Sequence, residues 1–296
     1  MALQEGGHAG LLGAHVSTSG GVQRAPERGT RIGATAIQLF TKPPSQWKEP
    51  TLPAETVQAF RVSLQSSALG VAISHDSYLI NLATPDPVLS ARSTRAFTAE
   101  LRRCRTLGIG LLVSHPGNYI DSRSRGLIRN ARRYSQCLRE VPDVAVLIEN
   151  TAGSGTALGS RFEELAKLRV RIASDVRHRV GFCLDTCHLF SAGYDLVHDY
   201  EGVWEQWGRV VGFLHLRCLH LNDSKTPLGS RRDRHELIGE GSLGPEPFRR
   251  IMKDPRLGLV PKILETPKGK DPVANDRRML RRLRAYGRSQ GSGVRG

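Results

Sequence analysis

The sequence predicts an α/β fold, a single-domain (β/α)8 TIM barrel, and three features carry that prediction. Eight apolar runs of strand length recur along the 296 residues, helix-length segments separate them, and polar residues with metal-ligating chemistry close most of the runs. Strands alternating with helices pair in parallel through crossovers, and a repeat count of eight favours a closed barrel over an open doubly wound sheet.

The runs are Leu11 to Val16, Thr35 to Phe40, Val71 to Ser74, Ile109 to Val113, Val144 to Ile148, Val180 to Leu184, Cys218 to Leu221 and Lys262 to Leu264. Between them, Thr56 to Ser66, Ser90 to Thr106, Leu127 to Leu138, Arg161 to Lys167 and Tyr200 to Val211 carry apolar residues at helical spacing. His15, His75, His115, Glu149, Asp185, His220 and Glu265 stand at or just past the C-terminal ends of the runs. In a barrel of this kind the functional site is assembled at that end, from several strands.

Hydrophobic residues make up 39% and charged residues 24%, enough apolar material for a large core. Lys and Arg number 43 against 28 Asp and Glu, a formal charge of +15 that favours a polyanion such as nucleic acid, with an anionic membrane surface as the alternative. No run approaches the ~20 apolar residues of a spanning helix, and Met1 to Gly10 lacks the pattern of a secretory signal, so a soluble intracellular protein is expected. Five scattered cysteines fit reduced thiols better than a disulfide framework, and Cys183 and Cys187 read as core residues. The expected division is a barrel over 1–276 and a basic helix end and tail over 277–296. Arg277, Arg278, Arg281, Arg282, Arg284, Arg288 and Arg295 make that end basic; a phosphate-binding role and a merely solubilising one both fit.

Five histidines, His75, His115, His188, His220 and His235, fall in short polar contexts at strand ends, with Glu149, Asp185, Asp233 and Glu265 beside them. A lone histidine is usually a packed or surface residue; five converging on one barrel face with four carboxylates are a site. Glu149 and Glu265 each end an apolar run, where an unpartnered carboxylate would be costly, and a metal at the barrel mouth removes that cost. Mixed imidazole and carboxylate ligation suits zinc or manganese. Asp233 and His235, two apart in an extended segment, point the same way and can share one ion, whereas Asp185 and His188 more naturally serve different ions. Nine ligands would supply two or three metals, with a carboxylate such as Glu149 bridging a pair roughly 3.5 to 4 Å apart. Three divalent ions bring about +6 against these carboxylates, leaving about +2, which favours a phosphodiester over a neutral sugar.

The segment Gly239 to Gly244, GEGSLG, satisfies a dinucleotide-binding pattern but follows a polar loop rather than a first strand, and Glu240 would repel a pyrophosphate. It reads as a tight turn closing the loop that carries His235.

At these residues the sequence resembles the endonuclease IV family of abasic-site endonucleases. GAHVSTSGG, HDSYLINL, HPG, IENTAG, LDTCH, AGYD, HLNDSK, GSRRDRH, GEGSLG and ILET match its segments in order, from about Leu12 to about Pro267. The resemblance implies three Zn2+ per chain: one on His75, His115 and Glu149, a second on Glu149, Asp185, His220 and Glu265, and a third on His188, Asp233 and His235. It implies a zinc-dependent DNA repair hydrolase acting on double-stranded DNA, in a bacterial cytoplasm or a nucleus. Such an enzyme cuts the phosphodiester 5′ to an abasic nucleotide and leaves a 3′-hydroxyl and a 5′-deoxyribose phosphate. Glu149 and Glu265 would position the attacking water. Tyr78 and Leu79 match side chains that enter DNA where a base is missing, and Gln46 and Lys225 fall in DNA-contacting segments. The loop TKPPSQW departs from the pattern, because Ser45 stands where familiar bacterial members carry a stacking arginine. A monomer is expected, without a membrane partner.

A metal-dependent sugar isomerase or epimerase is the leading alternative, since related barrels carry a set like Glu149, Asp185, His220 and Glu265. The Asp233 and His235 pair with His188 is surplus to that chemistry. A non-catalytic DNA-binding derivative of the barrel would have lost ligands, and none is missing.

Overall fold

The computed structural model describes residues 10–288; the last part of the expected basic tail, Ser289 to Gly296 with Arg295, lies outside the described residues. Among the described residues ten strands occur in chain order: β1 (Leu12–His15), β2 (Ala36–Leu39), β3 (Val71–His75), β4 (Leu111–Ser114), β5 (Ala145–Glu149), β6 (Val180–Asp185), β7 (Leu216–Leu221), β8 (Asp223–Ser224), β9 (His235–Glu236) and β10 (Lys262–Leu264). All but β8 and β9 close a parallel barrel, with β10 between β7 and β1, while β8 and β9 form a small antiparallel ribbon above it. Closure is tight at the first strand: a Cβ on Gly13 would fall 1.6 Å from the Ala36 carbonyl oxygen, so only glycine fits there.

Side chains two apart on a strand share a face, and this period organises the bore into layers. The lower layer is apolar: Ala36, Ile73, Val113, Leu147, Cys183, Cys218 and Ile263 pack together. Two positions further along the same strands stand Gln38, His75, His115, Glu149, Asp185, His220 and Glu265. The alternate strand residues, such as Val146, Ile148, Phe182 and Leu184, are buried under the helices with Phe97, Tyr134, Trp204 and Trp207.

Several boundaries differ from the sequence reading. Ile109 is not in β4; it follows Gly108, whose φ of 79° ends the helix Pro87–Leu107, and its N–H returns to the Cys104 carbonyl as a helix cap. β7 begins at Leu216, earlier than the apolar run suggests: the exposed Arg217 interrupts that run and is skipped in the pairing with β6, where Phe182 faces Leu216 and Cys183 faces Cys218. The helix Pro272–Gly287 buries Met279, Leu280 and Leu283 against the barrel. Several of its arginines serve that docking: Arg277 donates to the Arg31 carbonyl at 2.8 Å, and Arg278 and Arg282 both hold Glu240, at 2.5 and 2.9 Å. No helix among the described residues is long and apolar enough to cross a membrane.

Candidate metal centre

Each barrel strand delivers its polar residue to the same mouth, and Glu149 at the end of β5 is the hub. Its Oε2 lies 3.1 Å from His75 Nε2 and 2.9 Å from His115 Nε2, and its Oε1 lies 2.9 Å from His220 Nδ1. His220 Nδ1 also approaches Glu265 Oε2 at 3.1 Å. Beside this pair of carboxylates, His188 Nε2 and His235 Nε2 flank the two oxygens of Asp233 at 3.2 and 3.0 Å. Three groups result, His75/His115/Glu149, Glu149/Asp185/His220/Glu265 and His188/Asp233/His235, and within each the ligand atoms all lie within 4.8 Å of one another. They bring together all nine residues that the sequence singled out as ligands.

Ring orientation favours metal ligation over simple ion pairing. Nδ1 of His75, His188 and His235 lies 2.9, 2.9 and 3.2 Å from the backbone carbonyls of Asp76, Asn150 and Glu265. A carbonyl only accepts, so each Nδ1 carries the proton and each neutral ring turns a lone pair on Nε2 toward a carboxylate. Two acceptors facing one another repel unless a cation or a proton lies between them. His188 Nε2 and His235 Nε2 are buried and, although close to Asp233, are not aligned to hydrogen-bond with anything. That donor set fits a borderline ion such as zinc.

Without a cation the proton takes that place. Burial pulls His75 down, but the hydrogen bond and charge of Glu149 outweigh it and hold the ring at about 9. His235 is likewise lowered by burial and raised further by Asp185 and Asp233, to about 9. Burial pushes Glu149 up, and the His220 and His115 charges bring it well below the usual carboxylate range.

Three residues complete the centre that sequence reasoning did not select as site residues. Gln38 is fully buried and donates to Glu265 Oε1 at 2.6 Å and His15 Nδ1 at 3.0 Å, while its amide oxygen takes the His220 Nε2 proton at 2.8 Å. Asn150 Oδ1 accepts from the Asp185 N–H at 2.6 Å, and Asn222 Nδ2 donates to Asp185 Oδ2 at 2.6 Å. The readable signals were a polar residue inside the apolar run TAIQLF and the asparagines inside IENTAG and HLNDSK.

Asp223 explains the glycine-rich turn. Its buried carboxylate accepts the N–H groups of Ser224, Gly239, Gly241 and Leu243 at 2.7, 3.0, 3.0 and 2.9 Å, filling the cradle that a phosphate would otherwise need. A Cβ on Gly241 would fall 2.4 Å from the Ser224 carbonyl oxygen. The turn therefore closes the loop carrying Asp233 and His235, as its sequence suggested.

A family profile described as xylose isomerase-like TIM barrel matches residues 27–285. The chain is 46% identical over 266 residues to "Probable endonuclease 4" of Geobacter sulfurreducens, covering 88% of this chain and 89% of that protein. It is 45% identical over 279 residues to the protein of the same name from Chloroflexus aggregans, covering 93% and 96%. The crystal structure of endonuclease IV from Thermus thermophilus matches with a TM-score of 0.82 at 37% identity, covering 93% of this chain and 98% of that one. The chain belongs to the endonuclease IV family. A D-tagatose 3-epimerase-like protein also matches, with a TM-score of 0.67 at 15% identity over 93% of this chain and 98% of that one, a likeness of fold alone.

In this endonuclease IV family member the centre opens into a cavity of about 290 Å3 lined by His15, Phe40, Tyr78 and Lys268. A larger cleft of about 840 Å3, between the loops after β1 and β2, shares His15, Phe40 and Lys268 with it. Tyr78 is 64% exposed at the rim, packed edge-on against Phe40 at 5.4 Å, with the half-buried Leu79 beside it. Ser45 and Gln46 are exposed on the neighbouring turn, and Ser77 Oγ donates to the Pro44 carbonyl at 2.5 Å, tying the two loops together. Lys225 is set apart from them on the ribbon, 3.8 Å from Glu236.

Proposed function

We propose that this chain is a zinc-dependent endonuclease that hydrolyses the phosphodiester 5′ to an abasic site in double-stranded DNA, leaving a 3′-hydroxyl and a 5′-deoxyribose phosphate. The observation that carries the reading is the sharing of Glu149 between two ligand groups, with a third group built on Asp233 beside them. Bound zinc would lower the pKa of water to about 7 and neutralise charge on the phosphate. His75, His115 and Glu149 would hold one ion, Glu149, Asp185, His220 and Glu265 a second, and His188, Asp233 and His235 a third. Glu149 and Glu265 would orient the attacking water, and Gln38 holds Glu265 in place from the bore side. No side-chain nucleophile is required.

At the rim, Tyr78 and Leu79 would enter the duplex where a base is missing, because unstacking costs least there. Ser45, Gln46 and Lys225 would meet the backbone, and the net charge of +15 would draw the duplex in. The isomerase reading leaves the group His188, Asp233 and His235 without a task.

The deciding experiment is cleavage of a duplex carrying one abasic site, with metal content measured on the same preparation. About three zincs per chain and incision at the abasic position support the proposal. One or two exchangeable manganese ions and no incision would return the chain to the sugar isomerases.

A further inference from the structure

Beneath the proposed zinc centre, the bore holds a second set of ligands of a different chemical kind. Cys183 and Cys218 are direct register partners across β6 and β7, and both lie in the lower, apolar layer. Their sulfurs and a ring nitrogen of His220 all lie within 4.8 Å of one another, and all three residues are fully buried. The rest of the layer is Ala36, Ile73, Val113, Leu147 and Ile263, which offers no oxygen ligand. We propose that Cys183, Cys218 and His220 form a binding site for a soft divalent d10 cation, with Cd2+ as its probe, and that filling it takes His220 from the neighbouring centre.

Ligand type and net charge together select the ion. A set of two thiolates and one imidazole excludes Mg2+ and Ca2+, which require oxygen, and favours soft or borderline ions. Inside apolar walls a net charge is expensive, and two thiolates with one divalent ion are neutral, whereas Cu+ would leave one negative charge buried. The step balances without an oxidant: two S–H bonds release their protons to solvent, two metal–sulfur bonds and one metal–nitrogen bond form, the His220 bond to the neighbouring ion breaks, and no electron moves.

The consequence follows from the sharing of one imidazole. His220 belongs both to this group and to the group of Glu149, Asp185 and Glu265. A cation bound by the sulfurs that draws on His220 withdraws a ligand from the ion proposed above. This consequence rests on the proposed nuclease reading, whereas binding itself does not.

The test adds CdCl2 in one-equivalent steps to the zinc-loaded chain. It reads the ultraviolet thiolate-to-cadmium charge-transfer band, the cadmium retained after gel filtration, and cleavage of abasic duplex. The expected result is one cadmium per chain with a thiolate band, and cleavage slowed on the order of tenfold, the loss that follows when a ligand sphere is disturbed. Cys218→Ala and the volume-preserving Cys218→Ser should both abolish the band and the inhibition while keeping zinc content and far-ultraviolet circular dichroism. Cys187→Ala should keep the band. A band that survives in both Cys218 variants, or that vanishes in Cys187→Ala, overturns the site. If the chain proves not to cut DNA, the band and the bound cadmium still decide whether the site exists.

Discussion

Lys42 Nζ lies 2.9 Å from Glu49 Oε1 and 2.7 Å from the Gln46 carbonyl oxygen, so one buried ammonium fastens the loop that carries Ser45. The tie continues inward. Arg103 donates to Glu49, to Thr41 Oγ1 at 2.8 Å and to Glu100, and Glu100 accepts from Ser74 Oγ at 2.9 Å, the residue before His75. Breaking a buried pair from one side costs about 3 to 5 kcal/mol, because the other charge is left unpaired. Arg103→Ala is expected to lower the thermal midpoint sharply. Lys42→Met should weaken binding of abasic duplex more than it slows single-turnover cleavage. Equal affinity in Lys42→Met and the parent chain would detach this network from DNA binding.

Prolonged chelation should abolish cleavage, zinc should restore it, and magnesium alone should not, because imidazole-rich sites bind hard ions poorly. Glu265→Gln removes a ligand charge and breaks the arrangement with Gln38 and His220, so turnover should fall far more than affinity. Full activity in a verified zinc-free preparation supplied only with magnesium would sink the metal assignment.

The metal-free centre should show an inverted pH response. His75 and His235 are held at about 9, above the roughly 6.5 of an unfolded histidine. Their protonated forms therefore stabilise the fold fully below about pH 6.5, and that contribution is lost as the pH rises through about 9. Zinc requires the rings unprotonated, so its affinity grows over the same interval. Thermal midpoints of the chelated protein should fall between pH 6.5 and 9, while the increment produced by zinc should rise. A zinc increment independent of pH across that window contradicts the shared proton and metal position.

Asp223 is expected to govern the third ligand group without touching it. Asp223→Ala strands four N–H groups that now converge on one carboxylate, loosening the loop that carries Asp233 and His235. Metal analysis should find about one ion fewer per chain, with His75, His115 and Glu149 still loaded. Unchanged stoichiometry would show that the ribbon alone holds that loop.

Ser45 is exposed on a turn joined to the Tyr78 loop through Ser77 and Pro44, so a longer side chain there can reach DNA without displacing the core. Ser45→Arg should tighten binding to abasic duplex by about 1 kcal/mol, the value of one added phosphate contact or stacking surface, without faster chemistry. Tyr78→Ala should weaken binding. Affinities measured at one fixed salt concentration that move in neither variant would place the DNA grip elsewhere on the mouth.

Local pattern in the sequence determined the strands, the alternation with helices and the nine ligand candidates, because most of them end or closely follow an apolar run, while Asp233 and His235 stand out by their spacing of two in a polar loop, and none needs a distant contact to be seen. The role of Gln38 was not legible in that way. Within TAIQLF it reads as a polar interruption; pairing of β2 with β1 sets His15 beside it, and only closure of β1 onto β10 brings Glu265 and His220 around it. The pairing of Cys183 with Cys218 has the same origin, since neither cysteine marks the other in the sequence and the β6–β7 register makes them neighbours. The arginines from Arg277 to Arg284 show the converse: their charge was plain, but packing of their helix turns several of them onto Glu240 and backbone carbonyls. Periodicity reports which face of an element is buried, a property of a few consecutive residues. Which strands adjoin, in what register, and which charges end up paired are set by the closed barrel as a whole.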